Sequence, residues 1–167
     1  MMGRALLVVG WMATLGFAGS AAVGYLLPRV EEGMRLHVLL GLASSLLLLF
    51  SHCWIMFYLI GTGRAIKDAV RTSGLPPELY ERTKDFKNRS YPALMLALGL
   101  AMATFILGGG VYTGAVPLWV HHALFYATLA AQLWALRLEA RVLAENDRLM
   151  GDINRRLAAR PAAGARA

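Results

Sequence analysis

Residues 36–60 read LHVLLGLASSLLLLFSHCWIMFYLI, a run without a single Asp, Glu, Lys or Arg. As a helix, a stretch of this length rises about 1.5 Å per residue and covers a hydrocarbon core of roughly 30 Å. Backbone N–H and C=O groups find no water in lipid, so the run is expected to satisfy them internally as a helix. The same test applied outward along the chain finds three further spans, 5–27, 91–112 and 118–136, the last near the minimum length. The expected fold is therefore an all-α membrane protein, a four-transmembrane-helix bundle in residues 1–136. A cytoplasmic amphipathic helix, 137–158, extends the last span, and 159–167 form a flexible tail. The first span begins like a secretory signal, with a basic start and small residues at 18–22, but its apolar run continues to Leu27. It is read as a retained span.

Orientation follows from the basic residues. The segment 61–90 carries Arg64, Lys67, Arg71, Arg82, Lys84, Lys87 and Arg89, and the end of the chain carries Arg137, Arg141, Arg148, Arg155, Arg156, Arg160 and Arg166. The first short connection has only Arg29 and Arg35, balanced by Glu31 and Glu32, and the third has no basic residue. Lys and Arg accumulate on the cytoplasmic side, which places 61–90 and both termini there, at the plasma (inner) membrane. The net charge of +7 is thereby explained through topology and anionic lipid, and no nucleic-acid-reading module is visible.

Small residues suggest how the spans pack. Gly16, Ser20 and Gly24 recur every four residues, as do Ala93, Ala97 and Ala101, a spacing that lets helices approach closely in lipid. Gly108, Gly109 and Gly110 are expected to loosen the end of the third span, and Gly114 with Pro117 to make the outer turn. Tyr25, Tyr112 and Trp119 fall at the outer interface, where amphipathic rings settle. On the cytoplasmic side, Leu75-Pro76-Pro77 breaks the chain and 78–88 forms a short charged helix. Leu143, Asn146, Met150, Ile153 and Leu157 alternate steps of three and four, a coiled-coil-like seam with Asn at a core position. The seam docks on 78–88 of the same chain, or on a second copy or another membrane subunit.

All four histidines lie in or at the edge of apolar runs, and ionisable groups there call for partners. The second and fourth spans run in the same direction, so His37 shares the outer half of the bundle with His121 and His122. That suits bis-histidine ligation of haem b between two helices, with His122 preferred over His121 because Ala130 leaves room beside it. Gly41 and Ser44 follow on the His37 face and offer space for the flat ring. The alternatives are copper held by His37, His121 and His122, a pigment on a single histidine, and plain structural or interfacial histidines.

His52 follows His37 by fifteen residues, about four turns. Two histidines so spaced on one helix resemble membrane b-type cytochromes that stack two haems across the bilayer. That resemblance implies a matching pair on a second helix, whereas this chain has Leu136 and Arg137 there. His52 is left to pair with Met95, to hydrogen-bond Ser45, Ser51 or Tyr58, or to serve a quinone pocket with the aromatic residues of 54–58 and Gly61-Thr62-Gly63. Cys53 is alone and offers neither a disulfide nor a zinc spacing. No acidic residue lies in the middle of a span, and no phosphate loop or nucleophile motif is present. Two functions follow as expectations. One is a haem b electron-transfer or membrane-anchor subunit, a redox component rather than an enzyme by itself. The other is a cofactor-free accessory subunit of a larger membrane complex.

Overall fold

The computed structural model describes residues 2–27 and 30–159. Expectations that fall on Arg29 and on the chain from Arg160 onward lie outside the described residues. The described chain is all-helical: α1 (Met2–Leu26), α2 (Glu31–Ser73), α3 (Glu78–Tyr112) and α4 (Leu118–Ala158). Length and composition make α1, α2 and α3 long and apolar enough to cross a membrane. α4 falls short of that test because His121, His122 and Gln132 interrupt its apolar stretch.

Each boundary has a local cause. Glu31 and Glu32 occupy the first turn of α2, where carboxylates complement the helix dipole. The helix stops at Gly74, which takes the left-handed conformation at φ 56° and donates its N–H to the Val70 carbonyl. Pro76 and Pro77 then prevent continuation, and Glu78 and Glu81 open α3. Gly114, at φ 75°, turns the chain between α3 and α4.

The helices pack around a ring in chain order. α2 and α4 also meet across the diagonal, whereas α1 and α3 do not touch among the described residues. The small-residue stripes lie at these contacts: a Cβ on Gly16 would stand 2.5 Å from Ser44 Oγ, and Ala93, Ala97 and Ala101 are buried. α2, of 43 residues, measures about 64 Å and so continues far beyond any bilayer thickness.

Two expectations about the charged end change here. The short helix 78–88 is the first part of one continuous α3, and 61–73 are helical as an extension of α2. The glycines at 108–110 do not loosen α3, which stays helical through them to Tyr112. Gly108 instead admits the His121 ring, and Gly110 admits Val116.

The seam on α4 is filled within the chain. Leu143, Leu149 and Ile153 join Ile66, Leu75, Leu79 and Phe86 in one buried cluster, with Met150 and Leu157 at its margin. Arg89 links α3 to α4 through Glu145, at 2.5 Å between Nη2 and Oε2. That guanidinium holds the Glu145 carboxyl below the usual carboxylate range, and Glu145 in turn raises Arg89.

Candidate functional site: two histidine centres

At the end of the bundle that carries the two short connections, His37 on α2 and His121 on α4 come together. Their ring centres are 6.2 Å apart and their planes perpendicular, at 90°. Both rings are fixed by backbone. His37 Nδ1 lies 2.7 Å from the Ser20 carbonyl, and His121 Nδ1 lies 3.1 Å from the Thr104 carbonyl. A carbonyl only accepts, so Nδ1 carries the proton in each ring and Nε2 keeps its lone pair when the ring is neutral. Ser20 Oγ also donates to the His37 carbonyl at 2.7 Å, tying α1 to α2. Glycine makes both placements possible: a Cβ on Gly24 would stand 2.9 Å from His37 Nδ1, and one on Gly108 would stand 2.9 Å from His121 Cε1.

This arrangement corrects the preference for His122. Its ring packs on Tyr25 at 4.9 Å between centres, and the neighbour of His37 is His121. Adjacent residues point about 100° apart on a helix, so only one of the two can face across the diagonal. The face of Gly41 and Ser44 is also not the open slot expected. Ser20 Oγ would meet a Cβ on Gly41 at 3.2 Å, so α1 fills that side. Among the described residues no three His, Cys, Asp or Glu side chains are grouped to hold a metal ion. Beneath the pair, Phe17 stacks on Phe125 at 5.5 Å in an apolar layer.

The spacing of His37 and His121 is that of two imidazoles sharing one metal ion. A metal bonded at roughly 2 Å to two opposed imidazoles puts the ring centres about 6 Å apart. The Nδ1–H to carbonyl bond is the outer-shell contact that orients such ligands and raises their basicity.

The second centre lies deeper and was only half legible. His52 is fully buried, with Nδ1 2.5 Å from Glu139 Oε1 and Nε2 2.7 Å from Gln132 Oε1. Gln132 Nε2 donates to Thr14 Oγ1 at 3.1 Å, and Thr14 donates to the Gly10 carbonyl at 2.8 Å. Followed from Gly10 back, this chain of donors leaves Gln132 Oε1 as an acceptor, so His52 donates from Nε2, and one proton is shared between Nδ1 and Glu139 Oε1. The pair, imidazolium and carboxylate or imidazole and carboxylic acid according to which partner holds that proton, joins α2 to α4, and through Gln132 to α1.

The Met95 alternative for His52 is overturned, since Met95 is 58% exposed on the outer surface and both ring nitrogens are engaged. Nor do Ser45, Ser51 or Tyr58 bond it: Ser51 donates to the Leu6 carbonyl and Tyr58 to Asp147. No acidic residue lies in the middle of an expected span, but Glu139, three residues past the end of the fourth, is 0% exposed.

Comparison with protein-family models, characterised proteins and solved structures finds no match for this chain.

Proposed function

We propose that this protein is a small multi-pass membrane haem b protein, an electron-transfer or membrane-anchor subunit whose axial ligands are His37 and His121. The observation that carries this reading is the pair of backbone-anchored imidazoles at 6.2 Å, each presenting Nε2 as its free nitrogen. Haem, when bound, supplies one-electron chemistry, and burial and axial ligands set its potential. The chain's own residues do the rest. Ser20 and Thr104 hold the tautomer, Gly24 and Gly108 let the rings approach, and the Phe17–Phe125 layer keeps water from the ring edge.

The membrane placement is supported by an apolar outer surface. Trp11, Leu15, Phe50, Phe57, Ile106 and Trp134 are each about half exposed or more, while 61–90 and 137–158 expose charge instead. Contiguous apolar surface on this scale is unusual for a soluble monomer. The charged ends lie on the cytoplasmic side of the plasma membrane by the distribution of Lys and Arg. The outward face of α4, with Arg141 and Arg148, is open to a partner subunit or a second copy.

The visible spectrum of protein purified from haem-replete cells tests this. A Soret band with sharp reduced bands is expected, lost in His37→Ala and in His121→Ala but kept in His122→Ala. A folded preparation that stays colourless after hemin is added sinks the proposal. The cofactor-free accessory reading is favoured by one observation: Ser20 donates to the His37 carbonyl and lies 3.1 Å from its ring, so His37 has a structural role in the α1–α2 contact.

A further inference from the structure

Gln132, Glu139 and Asn146 stand seven residues apart on the buried stripe of α4, none more than 2% exposed. Toward the histidine pair, the polar groups on this stripe are satisfied: Gln132 by His52 and Thr14, and Thr128 by Thr104 at 2.7 Å. Toward the charged end they are not. Glu139 Oε2 and Asn146 Nδ2 are buried without a hydrogen-bond partner, although Asn146 Oδ1 accepts from Thr62 at 3.1 Å. Orphaned buried groups of this polarity are ordinarily met by ordered water. Thr62 also lines an open groove of about 410 Å³ between Trp54, Phe57, Tyr58 and Met150. From solvent inward the order is therefore groove, Thr62, Asn146, Glu139, His52.

We propose that His52 and Glu139 form a proton-exchange site, loaded and emptied from the charged end of the bundle through Asn146 and Thr62. The chemistry balances within the dyad. Moving the Nδ1 proton onto Glu139 converts imidazolium and carboxylate to imidazole and carboxylic acid, with no change in net charge. The acid then releases its proton from Oε2, which has no protein partner, to water; Asn146 and Thr62 line that water's way to the groove and carry no proton themselves. Uptake reverses these steps. Nε2 takes no part in the exchange because Gln132 Oε1 occupies it.

Among the described residues no other titratable group is hydrogen-bonded to the dyad. α1 contributes only Thr14 and the Ser51-bonded Leu6 carbonyl, and α3 contributes Ala93, Leu94 and Ala97, with Tyr91 bonded to the Met56 carbonyl. On α2, Tyr58 is bonded to Asp147. On α4, Arg137 and Arg141 are exposed, on the opposite side from Glu139. This site does not depend on haem at His37 and His121, which lie about 22 Å further along α2.

Infrared difference spectroscopy of the full chain in phosphatidylcholine bilayers tests the proposal, with ¹³C-labelled Glu to identify carboxyl bands. A carboxylic acid band assigned by the label to Glu139 is expected to shift on transfer to deuterated buffer and to be absent in Glu139→Gln. Thr62→Val is expected to slow deuterium exchange of that band about tenfold. Absence of an exchanging Glu139 carboxyl band in the labelled wild-type protein overturns the proposal even if Glu139→Gln fails to fold. Exchange unchanged in both Thr62→Val and Asn146→Leu overturns it as well. Loss of the visible haem spectrum with the carboxyl band intact touches only the haem reading.

Discussion

Replacing His52 and Glu139 singly and together gives the most direct test of the buried dyad. His52→Leu leaves a carboxylate with 0% exposure and no counter-charge, and it also strips Gln132 Oε1 of its donor. Charges about 4 Å apart at an effective dielectric of about 20 attract by about 4 kcal/mol, and breaking a buried pair from one side costs about 3–5 kcal/mol. Glu139→Leu is expected to cost a similar amount by stranding the imidazolium. In the double variant neither charge remains, and the residual cost is that of the orphaned Gln132 carbonyl, about 1–3 kcal/mol. The coupling energy is therefore expected to exceed about 3 kcal/mol. Neutral interhelical hydrogen bonds in a membrane average about 0.6 kcal/mol, so the measurement separates an ion pair from an ordinary polar contact. Equilibrium unfolding in mixed micelles, followed by circular dichroism, supplies the four free energies of the cycle. A coupling at or below about 0.6 kcal/mol would refute the ion pair.

Other expectations follow from the same contacts. Gly24→Ala and Gly108→Ala should each lower stability by about 1–3 kcal/mol, because a Cβ there meets His37 or His121 at 2.9 Å. Gly19→Ala and Gly99→Ala meet nothing within 4 Å, and thermal unfolding should find them neutral or up to about 1 kcal/mol more stable. The Arg89–Glu145 pair contributes stability that is fully present above the unfolded carboxylate pKa of about 4.3 and is lost as pH falls through the lower folded value. Both partners are more than a third exposed, so the contribution stays under about 1 kcal/mol and fades in 1 M salt. Acid titration of Glu145→Gln should show that step missing, and an unchanged acid profile would remove the pair from the account.

The helices and their turns were legible because their causes are local. Charge-free runs, Leu75-Pro76-Pro77, and Gly114 before Pro117 act within a few residues of themselves. The stripe at Gly16, Ser20 and Gly24 showed a close contact but not its partner, since partner choice depends on which helices are diagonal. The choice between His121 and His122 failed for that reason: two adjacent residues differ by one rotational step that no spacing rule fixes in advance.

Glu139 was lost for a different reason. Arg137 made the fourth span appear to end at Leu136, and what followed was read as a solvated cytoplasmic helix. Two residues further on is about 200° around the helix, which turns Glu139 inward while Arg137 stays exposed. The signal was present in the seam of Leu143, Asn146 and Ile153. Carried back by sevens from Asn146, it passes through Glu139 and Gln132.

The polar stripe also bears on how the protein is made. Gln132, Glu139 and the two outer histidines make α4 a poor candidate for partitioning into lipid by itself, since a carboxylate at a helix centre costs about 2.5–3.5 kcal/mol on insertion scales. Its partners, Thr14 and His52, belong to helices that leave the ribosome earlier. With α4 as a membrane span, the reading proposed above, its integration is tied to a scaffold already assembled, and a chain with His52 replaced should stall with three helices in the membrane and the fourth exposed to proteolysis.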